Sequence, residues 1–190
     1  MLIFHTTDYD SMINILKSDK LLTGKQTGII SQSPLDKPLP FVYFSTCPEI
    51  IDIMRKPIEV VLYFDSDLLK KKNFYTDTNH AAGIRKTTMK YPKDYDNIDL
   101  VLKNLYDQSI ITNSNDIKDK EAREKYFYVF QEVFIRGSVG IKNHLKYIKI
   151  YDNKNYVKNV VSPDELKGHD KLRNILLEKY PNVKILIDKL

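Results

Sequence analysis

The chain is predicted to be an α+β protein. Short runs rich in Val, Ile, Phe and Tyr, such as "FVYFS" at 41–45 and "IEVVLYF" at 58–64, have the composition of strands. Other stretches, "SMINILKS" and "NIDLVLKNLYDQ", repeat their apolar residues at helical spacing. The two patterns follow one another without a regular βαβ alternation and without an internal repeat, which sets the chain apart from both α/β and all-β folds. With 190 residues, 42% apolar and 29% charged, it forms one folded domain spanning 1–190, with a basic helix/strand segment from about residue 160.

In chain order, "LIFHTT" is a short apolar entry that ends polar. Thr7 and Asp10 have the spacing of a capping box, and Met12, Ile15 and Leu16 then share one helical face. From Leu21 to Pro40, scattered Gly and Pro predict loop. The strand 41–45 runs into "TCPEIIDIMRK", where Thr46 and Glu49 repeat the N-cap spacing and Ile50, Ile51 and Met54 supply a buried face. The unbroken apolar run at 58–64 predicts a strand buried on both faces. "FYTDTNHAAGIRK" begins extended and turns polar and small. In the helix that follows, Ile98, Val101, Leu102 and Leu105 align. After a polar connection comes the strand "VFQEVFIR" at 129–136, then the strand "KYIKIY", a helix with Leu172, Ile175 and Leu176 inward, and finally "NVKILID".

Several function classes drop out. Six dispersed glycines form no Walker or Rossmann phosphate loop. No serine lies in a Gly-x-Ser-x-Gly elbow. One cysteine, Cys47, makes no internal disulfide, and no Cys/His cluster has metal spacing, so no metal is expected and a reducing, cytoplasmic setting fits. No apolar window approaches the roughly 18 residues of a membrane span, and the N-terminus lacks the pattern of a signal peptide. The formal charge of +5 is localised: residues 141–190 carry eleven Lys/Arg against six Asp/Glu, and the rest balances at 19 of each. Such a segment suits a solvated surface, and it also suits phosphate contacts that guide a nucleic-acid strand.

The residue that stands out is Glu132. Five of the eight residues of "VFQEVFIR" are Val, Phe or Ile, and alternation puts Phe130, Glu132, Phe134 and Arg136 on one face. An edge strand with its charges in solvent accounts for this, and so does a carboxylate held in a cleft. His5 places an imidazole beside two threonines at a strand end. Asp77, Asn79 and His80 gather polar groups in a small-residue segment of the kind that carries sites. Tyr43 and Phe44 are candidates for stacking against a planar ring, Phe44 reading more readily as core, and Cys47 reads as structural.

Taken in succession, "FHTT…MINILKSDKLL", "PFVYFSTCPEIIDIM", "VVLYF", "FYTDTNHAA" and "QEVFI" resemble the DarT-type DNA ADP-ribosyltransferases, toxins that use NAD to modify a nucleobase in single-stranded DNA. The resemblance runs through roughly residues 2–160. It implies a split β-sheet flanked by helices, with NAD in the cleft. Glu132 matches the catalytic glutamate. His5 and Thr6 match the pair on the nicotinamide-ribose side, and Asp77, Asn79, His80 and Arg85 fall in the segment that presents the nucleic acid. Tyr43 and Ser45 stand on the cofactor side. The family's arginine after the "VYFS" strand, which contacts the cofactor's phosphates, is replaced by Ser45-Thr46-Cys47-Pro48. Arg55, Arg85 or backbone N–H groups at a helix start near 46–49 are the alternative phosphate contacts. The implied partners are single-stranded DNA and a macrodomain antitoxin that removes the modification. The alternatives are the same fold acting on RNA or protein, and a non-catalytic nucleic-acid-binding module.

Overall fold

The computed structural model describes residues 1–28, 39–47, 60–80, 87–116, 130–152 and 172–189, with backbone alone at 77–80, 87–88, 108–116, 130–131, 152 and 188–189. Its elements run β1 (Leu2–Thr7), α1 (Tyr9–Ser18), β2 (Lys20–Leu21), α2 (Gly24–Thr27), β3 (Phe41–Ser45), β4 (Val60–Asp65), α3 (Asp67–Lys70), β5 (Phe74–His80), β6 (Thr87–Tyr91), α4 (Ile98–Asp116), β7 (Phe130–Arg136), β8 (Val139–Gly140), β9 (Leu145–Asp152), α5 (172–179) and β10 (Lys184–Lys189). This is the α+β class that the mixed periodicities predict.

Eight strands form one sheet in the order β10-β9-β4-β1-β3-β7-β5-β6, and β2 pairs with β8 in a small separate ribbon. Every pair in the large sheet is antiparallel except β9 with β10. β4 lies between β9 and β1 and is buried on both faces, as its apolar run predicts: Val60, Leu62 and Phe64 join the main core, while Val61 and Tyr63 pack with Phe4 and Tyr151 on the opposite face. The main core receives Met12, Ile15 and Leu16 from α1, Ile98, Leu102 and Leu105 from α4, and Leu172 and Leu176 from α5. These are the helical stripes that the spacing picks out, with Val101 and Ile175 half-buried at the margin.

Three local expectations are corrected. The first helix is capped by Asp8 and not by Thr7: the Asp8 carboxylate accepts the Ser11 N–H at 2.6 Å, because β1 continues through Thr7 and leaves Asp8 as the first residue able to cap. The stretch predicted as loop from Leu21 holds a short strand at Lys20–Leu21 and a helical turn, α2, where Thr23 and Gln26 form a reciprocal capping box. The predicted helix after Ser45 lies outside the described residues beyond Cys47. In addition β6, polar and threonine-rich, gave no strand signal; it is held in place by its ladder with β5 and by Tyr91, which stacks on Phe74.

α5 is fastened to the end of α1 by a polar contact. Tyr180 Oη donates to Asp19 Oδ1 at 2.5 Å and Lys179 Nζ lies 3.1 Å from the same oxygen; Asp19 itself adopts a left-handed conformation that stops α1. The Tyr180 bond, with help from Lys179, holds the Asp19 carboxyl below its usual range, and burial raises the Tyr180 phenol. Tyr180→Phe is expected to lower stability by about 1–2 kcal/mol, since it removes a hydrogen bond to a charged group while keeping the ring. A denaturant titration showing no change in midpoint would mean that the contact contributes nothing.

Candidate active site

The large sheet is split at one place. β1 is paired with β4 along its whole length and β3 with β7 along its whole length, yet β1 and β3 share a single registered pair, Phe4 with Ser45. Continuing that register would set Thr6 opposite Tyr43. Instead the His5 ring reaches the gap, and its Nδ1–H donates to the Tyr43 carbonyl at 2.8 Å. A side chain thus satisfies a backbone acceptor that an unbroken ladder would have used.

This bond fixes the His5 tautomer. A carbonyl only accepts, so the proton sits on Nδ1, and Nε2 of the neutral ring is an acceptor. Burial lowers the His5 pKa, against the opposing pull of the Tyr43 bond, so the ring is uncharged at neutral pH. Protons then bind the unfolded chain more readily than the folded one. Stability from this group is full above the ordinary value of 6.5 and is lost as pH falls below it. The melting temperature of the chain is expected to drop more steeply between pH 7 and pH 5 than that of a His5→Gln variant, by roughly a few degrees. Parallel curves would remove His5 as the cause.

Glu132 sits on β7, which lies between β3 and β5 and is therefore an interior strand. The edge-strand reading of this glutamate does not apply, and the side chain is half-buried. One transverse row crosses the sheet through successive Cα partners: Tyr147, Tyr63, Phe4, Ser45, Glu132, Asp77 and Thr88. Directly opposed residues carry Cβ atoms about 4.5–5.5 Å apart, so Glu132 and Ser45 are lateral neighbours. Ser45 Oγ accepts the Cys47 N–H at 3.4 Å, which leaves its own O–H as a donor. Next to it, Thr46 is 3% exposed and its Oγ1 has no hydrogen-bond partner. A buried orphan hydroxyl costs about 1–3 kcal/mol, and the sequence pattern gave no hint of it.

Strand parity sorts the remaining predicted residues. Thr6, Tyr43, Ser45 and Glu132 fall on one face of the sheet, because Thr6 is partnered with Val61, Phe4 with Ser45 and Ser45 with Glu132. His5 is partnered with Leu62 on the other face and packs edge-on against Phe44, with centroids 6.1 Å apart. The imidazole and the carboxylate therefore approach the break from opposite faces and do not share one wall of a pocket. Asp77, Asn79 and His80 belong to β5 and not to a loop, since β5 pairs with β7 as far as His80–Phe130, with an irregularity after Asp77. Arg55 and Arg85 lie outside the described residues. Cys47 is fully buried, in keeping with a structural role. Among the described residues no group of three His, Cys, Asp or Glu is arranged to hold a metal, and no helix is long and apolar enough to cross a membrane.

The fold as a whole is one found among solved structures. The chain is similar to Thermus sp. 2.9 DarT in complex with carba-NAD+, with a TM-score of 0.58 and 16% identity over 99% of this chain and 95% of that one. The fold is that of the DarT-type ADP-ribosyltransferases. Similar too are the same Thermus protein in complex with ADP-ribosylated ssDNA, at TM-score 0.56, 15% identity and 99% and 94% coverage, and Thermosipho africanus DarTG in complex with ADP-ribose, at TM-score 0.57 and 12% identity, where 98% of this chain covers 50% of that one. No protein-family model matches the sequence, and no curated protein matches it either. The likeness thus lies in the DarT-type fold, at identities where side chains have largely been replaced.

Proposed function

We propose that the chain is an NAD-dependent ADP-ribosyltransferase that modifies a nucleobase of single-stranded DNA, with Glu132 as its catalytic carboxylate. The observation that carries this reading is the break between β1 and β3, with Glu132 beside Ser45 on an interior strand and a neutral, tautomer-fixed His5 at its rim. The DarT-type fold and the ligands of the Thermus neighbours, carba-NAD+ and ADP-ribosylated ssDNA, support it.

The residues present fit such a co-substrate. Thr6 and Ser45, on Glu132's face of the sheet, offer hydroxyl donors, while His5 holds the edge of the break from the opposite face through its bond to the Tyr43 carbonyl. The unpaired Thr46 Oγ1 is the one buried side-chain polar atom without a partner among the described residues. It belongs to the Ser45-Thr46-Cys47-Pro48 stretch found where the resemblance leads one to expect an arginine, and it offers a hydroxyl there in place of a guanidinium. Tyr43 offers a ring face next to Glu132's row. Bound NAD supplies a ribose that becomes positively charged as nicotinamide departs. Glu132 stabilises that charge and accepts the proton of the attacking base, which is the pairing of electrostatic and general-base work expected of a fixed carboxylate.

Nicotinamide release, measured with single-stranded DNA, RNA and protein offered separately, tests the assignment, and the mass gained by an oligonucleotide identifies the modified base. Release with DNA alone supports the proposal. Release with RNA or protein alone moves the substrate, and no release with any of them leaves a non-catalytic module, the reading favoured by the absent arginine. Active chain is also expected to be tolerated on expression only when Glu132 is replaced or a macrodomain that removes the modification is present.

A further inference from the structure

Beyond Glu132 toward the Arg136 end of β7, the same face of the sheet carries an aromatic surface with cations at its margins. The row next to Glu132's is Tyr43, Phe134, Tyr75 and Lys90, on β3, β7, β5 and β6. One step further along β7, Arg136 is partnered with Phe41. Tyr75 stacks on Phe134 with centroids 5.5 Å apart and planes at 12°, and Phe41 meets the two rings edge-on at 5.6 and 5.0 Å. Phe134 is buried and forms the backing, while Phe41, Tyr43 and Tyr75 are half-buried and keep ring surface outward. Arg136 and Lys90 are both exposed, and among the described residues neither has an ion-pair partner.

A run of rings on a sheet face suits core packing, but here Phe41, Tyr43 and Tyr75 are half-buried and exposed cations border them. Such a run also suits stacking of unpaired bases, for which the backbone charge must be met nearby. We propose that this face binds single-stranded DNA, with bases on Tyr75 and Phe41 and phosphates at Arg136 and Lys90, so that the next base along the strand lies at Glu132. The inference rests on the function proposed above. It puts the nucleic acid along the Arg136 end of β3, β7, β5 and β6, and the co-substrate at the break beside β1, with the carboxylate between them. A duplex hides the base faces that the rings need. DNA is the strand offered because the inference rests on that proposed function.

The test uses the full chain carrying Glu132→Gln, so that binding is read without modification. Fluorescence anisotropy of a labelled oligonucleotide is followed across salt concentrations. Tyr75→Ala is expected to weaken binding about tenfold and Tyr75→Phe to restore it, as stacking requires. Arg136→Gln and Lys90→Gln should each reduce the slope of log affinity against log salt by about 0.7, the release expected from one phosphate of a single strand. An oligonucleotide containing 2-aminopurine should lose fluorescence on binding the chain with Tyr75 intact, a readout that does not depend on whether the alanine variant folds. Unchanged affinity and salt slopes in all variants, no quenching, equal binding of RNA, or no binding of single strands would each overturn the proposal. NAD affinity of the chain with Glu132 intact, measured separately, decides the reading beneath it: NAD binding without the platform effects removes only the platform, and platform effects without NAD binding remove only the transferase.

Discussion

Glu132→Gln is expected to abolish NAD-dependent transfer while leaving the fold intact. Glutamine keeps the size of the side chain and its place beside Ser45 in the transverse row, so β7 loses no packing. What disappears is the negative charge and the proton-accepting oxygen. Fixed charges aimed at charge that develops in a transition state are worth at least about 10²-fold in rate when removed singly. The proton acceptor contributes a comparable factor. Nicotinamide release should therefore fall at least about a hundredfold, whereas the unfolding free energy changes by less than about 1 kcal/mol. Turnover equal to that of the unsubstituted chain would remove Glu132 from the mechanism and with it the proposed function. Loss of turnover accompanied by unfolding would assign Glu132 a structural role.

Phe44→Ala is expected to cost about 3–5 kcal/mol, enough to unfold a domain of ordinary stability or bring it close to unfolding. Phe44 is 1% exposed and meets Phe64 edge-to-face at 5.6 Å, with Phe64 itself fully buried. It also lies against His5 across the break. Few described pairings tie β1 to β3, so the rings carry across the gap what the ladder does not. Deleting one removes apolar area and leaves a cavity bounded by Phe64, whose partner atoms are lost outright. Phe44→Leu, which refills most of the space, should recover more than half of the loss. A midpoint that is insensitive to Phe44→Ala would show that the two half-sheets are held together by other contacts.

The predictions differ in what they probe because the residues involved were legible to different degrees. Phe44 could be read as core from "FVYFS" alone, and Glu132 could be put on a face with Phe134 and Arg136 by counting twos along "VFQEVFIR". The stripes of α1 and α4 and the two-sided burial of β4 are of the same kind. Each is a local periodicity, and a chain cannot carry an apolar residue every second or every third to fourth position without committing that face to burial. The resemblance to DarT-type enzymes rested on short motifs in order, and the fold agrees with it, although the stretch from Phe74 to His80, expected to open a loop, is strand.

Lateral neighbours are another matter. Nothing local says that β7 is interior, that Ser45 rather than Thr6 stands beside Glu132, or that Lys90, on a strand without a sequence signal, adjoins Tyr75. Strand order and register are set by which hydrogen-bond ladders close together, over sequence separations as long as that between Ser45 and Glu132. The amino-acid sequence by itself determined which side chains share a face. Only the tertiary structure decided which of them meet across it, where the sheet parts between Phe4 and Tyr43, and that the glutamate stands beside that break, because pairing energy is gained by whole strands and not by the residues one at a time.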